Sequence, residues 1–166
     1  MLARFGLLPA LALLVALPLA AEDFETGRAA YESGDYAETF RELRPLAERG
    51  HAGSQFLIGK MYYQGRGVGK DPREAGRWFL KAAEQGDLQA QYYLGVLHAS
   101  GEGVPQDDVR AYMWLYLAAE KGNELANVGL GVVMRRLTPA EQAEGRRLVQ
   151  RWKKAHAAGP GRQGPR

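Results

Sequence analysis

The sequence predicts an all-α protein: a short right-handed α/α solenoid of about eight helices that ends in a C-terminal capping helix. Three observations predict this fold. The chain repeats itself at a fixed period, each half of the period carries an apolar face at helical spacing, and stop and start signals separate the halves. Its 166 residues are enough for one short array with a packed core.

The repeat has a period of 36 residues, as the spacing of Gly50, Gly86 and Gly122 shows. The same shift superimposes Trp78 on Trp114. Further pairs at this offset are Gln55 with Gln91, Gly65 with Gly101, Gly67 with Gly103, Asp71 with Asp107, and Ala82-Ala83-Glu84 with Ala118-Ala119-Glu120. Self-similarity at one fixed offset predicts stacked units, each built from the same supersecondary element.

Each period is predicted to hold two helices. In the segment 54–64, positions 54, 57, 58, 61 and 62 fall on one side of a helical wheel. Gly65-Arg66-Gly67 ends that helix, and Asp71 followed by Pro72 begins the next. The second helix, 72–85, places Ala75, Trp78, Phe79, Ala82 and Ala83 on one face.

Glycines also recur inside the first helix of each period, at Gly59, Gly95 and Gly131. A glycine in a helix interior costs about 1 kcal/mol relative to alanine. Its recurrence at Gly59 and Gly95 predicts that a neighbouring helix passes too close for a Cβ atom. Trp78 and Trp114 are expected to fill the space alongside.

The flanks extend the array. A tight turn at Gly34 predicts a degenerate helix pair before the first full repeat. After Gly122 a third first helix, 124–137, is followed by Thr138, Pro139 and Glu141, a capping box that starts a last helix to about His156. The predicted organisation is a signal peptide at 1–21, the degenerate pair at 22–50, repeats at 51–86 and 87–122, a partial repeat with the capping helix at 123–157, and a disordered tail at 158–166.

The first 21 residues are typical of a secretory signal peptide. Arg4 precedes the apolar run 5–19, and the small residues Ala20 and Ala21 precede the acidic Glu22. We expect cleavage after Ala21 and a periplasmic or secreted protein; the alternative is an uncleaved signal anchor. No later segment is apolar over the roughly 20 residues that a membrane span needs, so no stable membrane insertion is expected after cleavage.

The sequence offers no pattern typical of an enzyme or a metal site. There are no cysteines and only three histidines, of which His51 and His156 are expected at helix ends and His98 in mid-helix as a partly buried residue. This spacing does not match a zinc motif. Asp107-Asp108 could bind a metal, but Asp107 is better explained as a helix cap. We expect no catalytic residues, no metal and no cofactor.

The residues of the second period resemble one unit of the Sel-like repeat family. The resemblance is carried by Ala90-Gln91-Tyr92-Tyr93-Leu94-Gly95, Gly101-Glu102-Gly103-Val104, Asp107, Ala111, Trp114 and Ala118-Ala119-Glu120-Lys121-Gly122. Residues 54–86 resemble a second unit. The family's units are α/α relatives of tetratricopeptide repeats with a longer loop. The resemblance implies a non-enzymatic protein-interaction scaffold or adaptor and, for export, a Gram-negative periplasm.

A partner is expected on the concave side of the array, which first helices line in stacked helix pairs. On the helical wheel, the side opposite the core holds Phe56, Lys60 and Tyr63. Their equivalents at the 36-residue offset lie on the same side and include apolar residues. The predicted partner-binding groove comprises Phe56, Lys60, Tyr63, Tyr92, Val96, Val132 and Arg135. Alternatively, a terminal helix folds over these residues and buries them.

The predicted function is that of an exported module that binds a protein or peptide. Two alternatives are a small periplasmic hydrolase acting on cell-wall material and an export-accessory protein that uses its basic C-terminal segment. From Arg135 to Arg166 nine Lys/Arg stand against two Asp/Glu. Aromatic residues do not interleave with these charges beyond Trp152, so nucleic acid is not an expected partner. We expect a monomer.

Overall fold

The computed structural model describes residues 16–157, with side chains from residue 23 onward. These residues form eight α-helices and no strands. The helices are α1 Ala16–Ser33, α2 Tyr36–Glu48, α3 Ala52–Gln64, α4 Pro72–Glu84, α5 Leu88–Ser100, α6 Asp108–Glu120, α7 Glu124–Met134 and α8 Pro139–His156. The predicted all-α solenoid is confirmed.

Three helix pairs follow one another along the array: α1 with α2, α3 with α4, and α5 with α6. Each second helix also packs against the first helix of the next pair. The first helices approach each other as well, α1 near α3 and α5 near α7, whereas α2, α4 and α6 have no comparable mutual contact. The first helices therefore line the inner, concave side.

Capping side chains recur with the same period as the sequence. The second helices α2, α4 and α6 begin after Asp35, Asp71 and Asp107, each of which accepts a hydrogen bond from a backbone N–H of the first turn at 2.9–3.0 Å. His51, Asp87 and Asn123 cap α3, α5 and α7 in the same way, at 2.8–3.1 Å. The period of 36 thus extends into the degenerate first pair, because all three aspartates lie in register.

The glycine-rich loop joins each repeat to the pair before it. A Cβ on Gly67 would lie 2.6 Å from Tyr36 Cβ, and a Cβ on Gly103 would lie 2.3 Å from the carbonyl carbon of Pro72. Tyr36 and Pro72 are the first residues of α2 and α4. The loop therefore rests on the first turn of the preceding second helix, at a distance that only glycine permits.

Buried glutamines make a second junction between units. Gln55 Nε2 donates to Ala47 O at 3.0 Å, and Gln91 Nε2 donates to Ala83 O at 3.2 Å. Each bond joins a first helix to the last turn of the second helix before it. This accounts for the recurrence of a polar residue at a position that is almost completely buried.

The close approach expected at Gly59 and Gly95 is confirmed, and the nearest atoms belong to the residue that follows each tryptophan. A Cβ on Gly59 would lie 2.8 Å from the Phe79 ring, and one on Gly95 would lie 2.6 Å from Leu115 Cγ. The tryptophan stands one residue before each of these side chains. Trp78 also lies beside Gly59, as expected, with its Cβ 3.2 Å from the same point, whereas the three nearest atoms at Gly95 all belong to Leu115.

The C-terminal part departs from the repeat. Helix α7 ends at Met134 rather than at the predicted residue 137. The expected capping box at Thr138 and Glu141 is present, and the Gln142 amide donates to Met134 O at 3.1 Å. Helix α8 then packs on α6 rather than on α7. Contacts that hold it there include the edge-on pair Trp114–Trp152 and the ion pair of Lys153 with Glu120.

Two predictions concern residues outside this description. The disordered tail, 158–166, lies wholly beyond the described residues. Of the predicted signal peptide, 1–21, residues 1–15 lie beyond the described residues, and the side chains of residues 16–21 are not described. Both stay predictions.

A candidate interaction surface on the first helices

The seven predicted groove residues lie on three first helices. Phe56, Lys60 and Tyr63 are on α3, Tyr92 and Val96 are on α5, Val132 is on α7, and Arg135 follows the end of α7. The first five are half-buried, whereas Val132 and Arg135 are exposed. We call the half-buried five, Phe56, Lys60, Tyr63, Tyr92 and Val96, the first-helix surface.

Tyr93 joins the aromatic members of the first-helix surface. Its ring centroid lies 5.9 Å from that of Phe56, 5.5 Å from that of Tyr63 and 5.3 Å from that of Tyr92. Below, it stacks on Phe79 of α4 at 5.0 Å. Burial raises the pKa of the Tyr93 hydroxyl. These rings form a continuous floor across α3 and α5, fixed from beneath by the second helix.

Sequence reasoning missed Tyr93 for a definite reason. Its counterpart 36 residues earlier is Leu57, a core position, so the wheel assigned it to the interior. Tyrosine is larger than leucine and carries a polar end, and its ring consequently extends past the core to the surface. A tyrosine at a core register was the available signal.

Lys60 supplies the charge of the first-helix surface. Its Nζ lies 5.1 Å from the centroid of the Tyr31 ring and 5.9 Å from that of Phe56, within the range of cation–π attraction. Burial, and secondarily the positive charge of Arg66, lower the pKa of the Lys60 amine. Among the described residues no carboxylate forms an ion pair with it. Lys60 is thus a half-buried cation held by ring faces alone.

Helix α1 borders the surface through Tyr31. The Tyr31 hydroxyl donates to Gln64 Oε1 at 2.9 Å, which ties α1 to the end of α3. Neither terminal helix packs across the rings to any extent: α1 touches α3 along one edge, and α8 packs on α6. The aromatic members of the first-helix surface contact Tyr93 and, on α3, Phe79, while Tyr31 of α1 contacts Lys60.

The ionisable groups singled out in the sequence have structural partners. Asp107 caps α6, and Asp108 accepts a bond from Arg136 at 2.5 Å. His98 is buried, its ring nitrogen is 3.3 Å from Pro105 O, and burial lowers its pKa. No group of acidic, histidine or cysteine side chains in the described part of the chain is arranged to hold a metal ion.

The basic C-terminal segment is partly paired. Arg147 and Arg151 both bond to Glu144, and Lys153 bonds to Glu120. These cations therefore do not form one free basic stripe. In residues 16–157, none of the helices combines the length and apolarity that crossing a bilayer requires.

A second concavity lies on the other side of the array, between α4 and α6. It has a volume of about 920 Å³, with Arg73, Arg77 and Leu80 on one wall and Arg110 and Met113 on the other. Arg77 pairs with Glu74, and Arg110 pairs with Asp107. Two of these three arginines are therefore paired within the chain.

Comparison with known proteins agrees with this architecture. The family model of the Sel1 repeat matches residues 52–87 and 88–123. The chain is similar to a Sel1 repeat protein from Oxalobacter formigenes, with 34% identity and a TM-score of 0.63 over 66% of this chain and 45% of that one. No curated protein matches.

A second solved structure shares the fold alone. It is a protective antigen present in uropathogenic Escherichia coli strains and displays an SLR fold, with 24% identity and a TM-score of 0.77. The match covers 89% of this chain and 34% of the antigen, so the chain spans about a third of that protein's length. Sel1 repeat proteins serve as protein-interaction scaffolds. Residues 52–123 of this chain are two Sel1 repeats, set in a helical array of the Sel-like repeat fold.

Proposed function

We propose that the chain is an exported, non-enzymatic interaction module that binds a peptide or a helix of a partner protein on the first-helix surface. The observation that carries this proposal is Lys60. This half-buried amine has lost part of its hydration, and among the described side chains it contacts aromatic ring faces but no carboxylate. A ligand carboxylate would complete its environment.

The surrounding rings define the rest of the ligand. Phe56, Tyr63 and Tyr92 present flat, partly apolar faces with polar edges, a composition typical of sites that anchor a partner. A matching ligand carries one acidic group beside apolar side chains. This chemistry favours a peptide or helix over a sugar or a nucleic acid.

The proposal can be tested with peptides selected from a random library on the purified protein. Lys60→Met keeps the apolar stem and removes the charge. It should weaken binding of the selected acidic peptides at least about 10-fold, since hydrogen bonds to charged groups contribute about 1.5–3 kcal/mol. Affinity would be measured by fluorescence polarisation and should also fall as salt rises.

Lys81→Met is the matched control. Lys81 likewise lies over a ring, 4.2 Å from the centroid of Trp78, but on the second-helix side of the array. It should bind the peptides as the wild type does. Equal affinity of Lys60→Met and wild type, with Lys60→Met still folded by circular dichroism, would refute binding at the first-helix surface.

Export is tested separately. Expression of the whole chain, fractionation of the cells and N-terminal sequencing should give an extracytoplasmic protein that begins at Glu22. A retained Met1 would contradict cleavage and leave a signal anchor as the alternative.

A further inference from the structure

Helix α7 is a first helix without its own second helix. In the two complete repeats the interior glycine of the first helix receives a side chain of the second helix, Phe79 on Gly59 and Leu115 on Gly95. At the equivalent Gly131 nothing lies within 4 Å of where a Cβ would be. The next helix, α8, packs on α6 instead, and the outer face of α7 stays open.

This open face is unusually apolar. Of the five large hydrophobic residues that are exposed in the described part of the chain, four belong to α7: Leu125 at 61%, Val128 at 69%, Val132 at 44% and Met134 at 37%. Single exposed apolar side chains are ordinary, but a group of four on one helix indicates an interaction site.

The face has a regular pattern. Spacings of four, three and four residues separate Glu124, Val128, Gly131 and Arg135. Such spacings are typical of the seam along which two helices pack. Leu125 and Val132 flank this seam on one side, and Asn127 and Met134 flank it on the other. We call these eight residues the α7 stripe.

We propose that the α7 stripe is a self-association surface, on which a second copy of the chain packs its own α7 in antiparallel orientation across a twofold axis. The axis would pass between residues 129 and 130. Val128 then faces Gly131 of the second copy, so that a side chain fills the vacant notch. Leu125 then lies beside Val132 of the second copy, and Glu124 faces its Arg135.

The charges at the two ends single out this occupant. Glu124 and Arg135 have no ion pair within the described part of the chain, and they lie on the same seam at opposite ends of α7. Two antiparallel copies bring Glu124 of each copy to Arg135 of the other, which gives two equivalent ion pairs by symmetry. Parallel copies would bring like charges together. A stripe that is complementary to its own inverted copy does not need a second protein to explain its pattern.

The expected association is modest in strength. Two helices of 11 residues make a small interface compared with the roughly 1,200–2,000 Å² of a standard complex. Dimerisation should therefore depend on concentration. This proposal replaces the expectation of a monomer, and it assigns Val132 and Arg135 to the dimer rather than to the groove. It does not rest on ligand binding at the first-helix surface.

Sedimentation velocity of the protein purified after expression of the whole chain tests the proposal, from low micromolar to near-millimolar concentration. The wild type should shift from monomer to dimer. Glu124→Arg alone and Arg135→Glu alone should each raise the dimer dissociation constant at least 10-fold. The double variant, with both charges reversed, should return to within about threefold of wild type, because the pairs are restored with opposite sign.

A second pair of variants separates the stripe from general hydrophobicity. Val128→Glu should abolish the dimer, whereas Leu80→Glu, at the other exposed large hydrophobic residue, should leave it unchanged. A wild type that is monomeric throughout, as it would be if residues 158–166 or a foreign helix covered the stripe, overturns the proposal. So does a double variant that fails to recover.

Discussion

The interior glycines of the first helices are the clearest case of a residue whose role depends on its neighbour. Gly59, Gly95 and Gly131 are equivalent in the sequence, but a Cβ would be excluded at the first two and unopposed at the third. Recurrence alone predicted the close approach at Gly59 and Gly95. It could not show that Gly131 lacks a neighbour, because that depends on where α8 packs.

The contrast gives a matched prediction for stability. Gly95→Ala should destabilise the fold by about 1–2 kcal/mol, since the overlap with Leu115 outweighs the gain in helix propensity. Gly131→Ala should stabilise it by about 0.5–1 kcal/mol, because only the propensity changes. Urea unfolding at low protein concentration, where monomers prevail, measures both. Equal effects of the same sign would contradict the packing described.

His98 makes a prediction about pH. Burial, the largest cause, lowers its pKa below the ordinary 6.5, and the folded protein therefore holds the ring neutral. As the pH falls, the histidine of the unfolded chain binds a proton before the buried ring does. The stabilisation that comes from the neutral His98 ring is therefore complete above about pH 6.5 and is lost as the pH falls below that value. The free energy of unfolding should decrease from about pH 7.5 to about pH 5.

His98→Tyr isolates this effect, because tyrosine does not titrate in the range. The difference in unfolding free energy between the variant and the wild type should widen in favour of the variant as the pH falls. His51 and His156 remain in both proteins and cancel. A difference that stays constant between the two pH values would show that His98 is not held neutral.

At the scale of the element, the sequence located helix starts well because their chemistry is local. Asp71 with Pro72, Asp107, and the capping box at Thr138 act within one turn, and the helices begin where these signals stand. The end of α7 is set differently. Met134 is fixed as the last residue by the Gln142 amide of the following helix, which the periodicity of α7 does not contain.

The caps predict a specific pair of variants at Asp107. Asp107→Ala should cost about 1 kcal/mol, since the Arg110 N–H loses its acceptor, whereas Asp107→Asn should cost only a few tenths because asparagine caps equally well. Thermal unfolding measures both. A melting temperature that depends on added chelator would instead indicate that Asp107 and Asp108 bind a metal.

Helix α8 shows where prediction at this scale ends. The connection from the cap Asn123 to the cap Thr138 is shorter than that from Asp87 to Asp107, and the glycine-rich loop is missing. These signals indicated that the repeat stops, and it does. They did not indicate that α8 would pack on α6, because that choice depends on the match of Trp152 to Trp114 and of Gly145 to Tyr112 across the fold.

For the whole molecule, a constant period places equivalent side chains of α3 and α5 side by side, so the sequence could locate most of the first-helix surface. It missed Tyr93, whose partial exposure depends on ring size, and the contact of the buried Tyr31 with Lys60, which depends on the position of α1. It also placed Val132 and Arg135 in the same groove. In the structure Val132 lies on α7 and Arg135 directly follows it, and both belong to an open helix face.

The central claim is that the concave first-helix surface, rather than the second-helix side, meets the partner. Site-specific photo-crosslinking in the producing cell tests it most directly, with the photoreactive residue at Tyr92 or, for comparison, at Leu80 or Arg77. We expect a discrete adduct with one partner protein from Tyr92 that Lys60→Met abolishes, and none from Leu80 or Arg77. An adduct from Leu80 or Arg77 with none from Tyr92 would contradict the account.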